Sequence, residues 1–109
     1  MGAPAVGDVV LVRFPFSDLS TTKRRPAFVA ATAGRSDVVL CQITSQQYAS
    51  RSAREIAEAE TRTSGLRRRS YVRPDKLFTA HSSLVSRRLG SLSAATTREL
   101  RSAVAALFT

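Results

Sequence analysis

Short apolar runs separated by turn residues, followed by one amphipathic helix, predict a small, mainly β domain with a C-terminal helix, either barrel-like or α+β. Three observations carry this. Val9 to Phe14 is a β-branched apolar run. Two more such runs flank Gly34-Arg35-Ser36. Near the end, Leu100, Val104, Leu107 and Phe108 recur at i, i+4, i+7 and i+8, one stripe of a helix. The 109 residues suit one domain over 1–109 and leave little room for a second core.

The elements follow in order. Gly7-Asp8 opens the first strand, and Pro15, which has no N–H for a ladder, closes it. Residues 16–25 are a polar loop ending in Lys23-Arg24-Arg25. Pro26 leads a second strand over 27–33. Asp37 to Ile43 forms a third, paired with the second as a hairpin through the Gly34 turn. Residues 51–60 are ambiguous: propensity favours helix, yet Ile56 is their one large apolar side chain. Residues 61–69 read as a polar loop. Ser70 to Arg73 reads as a short strand stopped by Pro74, 76–79 as a separate extended piece and 82–88 as a short helical turn. Ser93, whose hydroxyl can accept a first-turn N–H, caps the final helix.

Composition narrows the chemistry. Seventeen basic residues, 15 of them Arg, face eight acids, for a net charge of +9. The guanidinium fork pairs bidentately with phosphate, so this excess points to a polyanionic partner, nucleic acid or an acidic protein. No apolar run is long enough to cross a bilayer, and the N-terminus lacks the charged and apolar regions of a secretion signal. With a single cysteine, Cys41, a reduced cytoplasmic setting is expected. Glu55, Glu58 and Glu60 lie among arginines with no His or Asp beside them, so no metal site is expected. No phosphate loop or dinucleotide fingerprint is present, and no cofactor is expected. Cys41 in an apolar strand and His81 in a polar stretch read as packing and solvated surface, not as a nucleophile and its base. Arg and hydroxyl groups remain. RNA supplies its own nucleophile, the 2′-OH, so its cleavage needs chiefly a phosphate held in line with its developing charge stabilised.

Four blocks carry a family likeness. Gly7-Asp8-Val9-Val10-Leu11-Val12 with Phe14-Pro15-Phe16-Ser17-Asp18-Leu19 and Lys23-Arg24-Arg25-Pro26-Ala27 resembles the opening of the MazF/PemK-like toxins of type II toxin–antitoxin systems. Gln42-Ile43-Thr44-Ser45-Gln46 is similar to their second motif, Ser70 to Thr79 to their third block, and Gly90 to Ser93 with the last helix to their ending. The likeness covers nearly the whole chain and is weakest over 47–69. It implies an SH3-like small β-barrel with a C-terminal α-helix. It also implies a homodimer and metal-independent, sequence-specific cleavage of single-stranded mRNA, restrained by a cognate acidic antitoxin. Arg25 and Thr44 match the family's catalytic pair. Ser17, Asp18, Lys23, Arg24, Ser45 and Gln46 are placed near RNA, and Arg67 and Arg68 could extend the groove. The likeness makes 53–60 a strand. Taken alone, Arg25 would be read as solvating a loop and Thr44 as capping a turn. Ser45 fits capping and RNA contact equally, and Arg73 fits a brace between strand ends. Two rival functions remain open: a toxin on the same kind of barrel that inhibits DNA gyrase without nuclease activity, and a non-catalytic RNA-binding barrel.

Overall fold

The first three strands form where the apolar runs lie. The computed structural model describes residues 3–13, 24–46 and 51–109. Strands β1 (Asp8–Arg13), β2 (Arg24–Ala33) and β3 (Asp37–Thr44) are followed by β4 (Arg54–Glu55), α1 (Glu58–Thr63), β5 (Tyr71–His81), a 3-10 turn (Ser82–Leu84), β6 (Val85–Ser91) and α2 (Ala94–Ala106). The expected end of the first strand at Phe14 and Pro15 lies outside the described residues. All strand pairs are antiparallel, in the order β4-β5-β3-β2-β1-β6.

The first strand does not alternate polar and apolar because both faces of the sheet are covered. Val9 joins Phe28, Cys41, Ile43 and Val72 in one core, which α2 closes with Leu100 and Val104. Val10 and Val12 join Val29, Leu40, Ala80 and Val85 in a second. Phe28 is fully buried, so truncation to Ala would cost about 3–5 kcal/mol. Ser93 caps α2, its hydroxyl accepting the Thr96 N–H at 3.2 Å. The far end of the α2 stripe stays in solvent: Leu107 is 45% and Phe108 78% exposed. No helix among the described residues is long and apolar enough to cross a membrane.

Three expectations need correction. The pieces expected at 70–73 and 76–79 are one strand, β5. Pro74 does not break it, because the β3–β5 register jumps from Cys41↔Leu77 to Ile43↔Val72 and leaves 73–76 in a bulge, where a missing N–H removes no ladder bond. The 82–88 turn is helical only through Leu84; the rest starts β6, which pairs with β1. The 53–60 strand shrinks to Arg54–Glu55, and a helix takes over from Glu58.

Among the described residues the sheet is not closed by hydrogen bonds into a full barrel: its edges are β4 and β6, and α1 follows β4 and meets β6. The contact is backbone on backbone. A Cβ on Gly90 of β6 would collide with the Thr63 carbonyl oxygen and the backbone of Ser64. Gly65 has φ +74° and would place a Cβ 2.5 Å from the Leu89 carbonyl oxygen. Glu60 fastens α1 to α2, accepting the Ser93 N–H at 2.6 Å and the Thr96 hydroxyl at 2.5 Å.

Candidate nucleic-acid interface

A groove of about 510 Å³ opens where β2 begins and β3 ends. Leu11, Pro26 and Leu89 give it apolar surface, and Arg25, Thr44, Ser45, Gln46, Arg67, Arg68 and Arg87 give it polar groups. The β2–β3 ladder ends at Ala27↔Gln42. Continued two residues, the same register would set Arg25 opposite Thr44. Antiparallel pairing therefore brings together an arginine and a threonine far apart in sequence. Leu66 to Arg68 reach the groove because Gly65 turns the chain against β6 directly before them.

Each polar group has a defined setting. Arg25 is exposed and forms no ion pair among the described residues. The Thr44 hydroxyl accepts the Gln46 N–H at 3.1 Å, which fixes the oxygen and leaves its own proton to donate. The turn-capping role expected of Thr44 is thus present, and it orients the hydroxyl within the groove. The described lining carries four guanidiniums and no carboxylate.

The structure sorts the residues expected to meet RNA. Arg25, Thr44, Ser45, Gln46, Arg67 and Arg68 share the groove. Arg24 is exposed at the start of β2, across from Arg13, and is not among the lining residues. Ser17, Asp18 and Lys23 lie outside the described residues. Arg69 turns to Glu55 at 3.7 Å. Arg87 was not foreseen: beside Arg88 in a stretch read as a helical turn it looks like solvated surface, and the β1–β6 pairing alone brings it here. Arg73 pairs locally with Asp75 at 3.4 Å within the β5 bulge, and no bond from it to another strand is seen among the described residues.

Cys41 and His81 do not form a reactive pair. Cys41 is fully buried, and burial, helped by the Asp75 charge, pushes its thiol up to about 12. His81 pairs with Asp37 at the far end of β3 from Thr44, and its Nδ1 accepts the Ser83 N–H at 3.1 Å.

Residues 5–108 match the family model of the PemK-like, MazF-like toxins of type II toxin-antitoxin systems. The chain belongs to that family. Solved structures share the fold of this MazF-like chain. The MazE-MazF complex from Deinococcus radiodurans aligns with TM-score 0.78 and 20% identity, over 99% of this chain and 97% of that one. An endoribonuclease in complex with its cognate antitoxin, from a mycobacterial species, gives 0.74 and 19%, over 99% and 95%. The Mycobacterium tuberculosis toxin MazF-mt6 gives 0.72 and 18%, over 93% and 95%. No curated protein sequence matches the chain.

Proposed function

We propose that this MazF-like chain is a toxin endoribonuclease that cleaves single-stranded mRNA at specific sequences without a metal ion, with Arg25 and Thr44 at the reacting phosphate. One observation carries the reading: Arg25, Thr44, Ser45 and Gln46 meet in a groove flanked by Arg67 and Arg68, with no carboxylate in its described lining. An anionic, extended polymer fits that lining.

The chemistry follows from the groups at hand. The RNA 2′ oxygen attacks the adjacent phosphorus, and the bond to the 5′ oxygen of the next nucleotide breaks. The fragments end in a 2′,3′-cyclic phosphate and a 5′-hydroxyl. Charge grows on the non-bridging oxygens, where the Arg25 fork donates. Thr44 adds the hydroxyl proton that its bond from Gln46 leaves available. Arg25 acts as a fixed cation and not as a base. The 2′ proton leaves to water and the departing 5′ oxygen takes one from water. Ser45 and Gln46, one and two residues beyond Thr44, are placed to donate to and accept from base edges. Ser17, Asp18, Lys23 and Arg24 join the RNA contacts on the family likeness. The same likeness gives a homodimer and an acidic antitoxin, whose carboxylates would compete with RNA for the groove.

The test is incubation of the purified protein with single-stranded RNA in EDTA. Fragments with cyclic-phosphate and 5′-hydroxyl ends are expected, and a folded Arg25→Ala protein should cut about 10²–10³ more slowly. Undiminished cutting by Arg25→Ala would overturn the assignment. Binding without cutting would make the chain an RNA-binding barrel, and inhibition of gyrase with neither would favour that rival.

A further inference from the structure

Arg87 and Arg88 are adjacent on β6 and differ in what they meet. Arg88 directs its Nε to the Asp8 carboxylate at 3.0 Å, and Asp8 is nearly buried at the head of β1. Arg87 is exposed, forms no ion pair among the described residues and lines the groove.

Register explains how it gets there. Strand β1 lies between β2 and β6. Val12 pairs with Arg25 on one side and Leu11 with Arg87 on the other. The two arginines therefore flank β1 at positions one residue apart along it. Two strand spacings set their backbones about 10 Å apart, within reach of one another's surroundings for side chains of this length. Both guanidiniums line one groove whose described lining has no carboxylate, so an anion in it is drawn to both. An anion that serves Arg25 and Arg87 together carries its charges in a row, as consecutive phosphates do.

We propose that Arg87 holds the phosphate next to the scissile one and so sets the RNA in register over Arg25 and Thr44. The inference rests on the reading that RNA occupies this groove. Arg25 and Thr44 meet across the β2–β3 junction, whereas Arg87 stands on the other side of β1. It belongs to the binding step more than to the stabilisation of the pentavalent phosphorus. A grip on a phosphate that does not react is equally strong in the ground state and the transition state, so its loss raises KM and spares kcat.

The experiment uses a single-stranded RNA methylated at every 2′ oxygen, which keeps its phosphates and cannot cleave itself, and measures affinity across a salt series. Each phosphate contact contributes about 0.7 to the slope of log affinity against log salt. Arg87→Gln should lower the slope by about that much and weaken binding about tenfold at low salt, while Arg87→Lys restores the slope. Arg88→Gln and Arg98→Gln remove the same charge elsewhere and should keep the wild-type slope. The α2 variant serves alone if loss of the Asp8 partner unfolds the other. On cleavable RNA, Arg87→Gln should raise KM about tenfold with little change in kcat. An unchanged slope for Arg87→Gln, or an equal loss for Arg98→Gln, overturns the proposal. If the wild-type protein shows this binding pattern and cuts no RNA, the nuclease reading and the register role of Arg87 both fail, and only its grip on an RNA phosphate stands. If it cuts RNA and Arg87→Gln matches it in slope and KM, only Arg87 is misassigned.

Discussion

Replacing Glu60 by Gln tests the fastening between the two helices. The carboxylate receives the Ser93 N–H at 2.6 Å and the Thr96 hydroxyl at 2.5 Å, at the positive end of α2. Burial raises its pKa, but the hydrogen bonds from Thr96 and Ser93 outweigh that and hold it below the usual value. Glutamine keeps the shape, removes the charge and puts an NH2 donor where one of the two acceptor oxygens stood. Charge-assisted bonds are worth about 1.5–3 kcal/mol each when sheltered, and partial exposure lowers this, so a loss of about 1.5 kcal/mol is expected. For a domain of this size that is about 6 °C in Tm. The sign with pH follows. A carboxyl whose folded pKa is depressed contributes fully above its unfolded value, about 4.3, and the contribution fades as pH falls through the lower folded value. Thermal unfolding of both proteins at neutral pH and near pH 3 is the assay. The 6 °C gap should narrow in acid, as the wild-type carboxylate takes up its proton. A gap of the same size at both pH values, or none at neutral pH, would refute the reasoning.

Further outcomes can be checked separately. Thr44→Ser should retain cleavage and Thr44→Val should lose most of it, measured as initial rates on one RNA, because the hydroxyl proton is the group invoked. Gly90→Ala should lower Tm more than an exposed Gly→Ala change does, since its Cβ meets the Thr63 carbonyl oxygen. Full stability of that variant by calorimetry would mean that α1 lies elsewhere. Cys41, held protonated by burial, should resist a thiol-modifying disulfide reagent at pH 8 until the protein is unfolded. Light scattering in micromolar solution should return about twice the 11.8 kDa chain mass; the monomer mass would count against a homodimer.

Strands β1, β2 and β3 and the Ser93 cap were legible because their signals are local: an apolar run, a turn glycine, a hydroxyl one residue before a helix. Strand β6 was not. Its pairing with β1 shifts register between Val9 and Val10 and again between Leu11 and Val12, and such bulges break the alternation by which a strand is read. Pro74 misled because a proline stops a strand only where its N–H would be in the ladder. Residues 58–63 show the reverse. Their helix propensity is real, but the helix buries no residue of its own and is held through Glu60 and the glycine contacts. Arg25 and Thr44 were found through a resemblance, since each alone looks like surface. Arg87 carried no signal at all, because what singles it out is the strand beside it.

The contact of α1 with β6 has a consequence for how copies of this chain meet. An edge strand with free N–H and C=O groups is a template for another chain, and β6 is a seven-residue edge. Backbone from Thr63 to Gly65 presses on it at Leu89 and Gly90, so a stranger's strand cannot lie flat there. Arg87 and Arg88 add charge to the stretch before it. The short helix thus acts as a guard against aggregation, and Gly90→Ala should raise turbidity on mild heating well before the sheet itself melts.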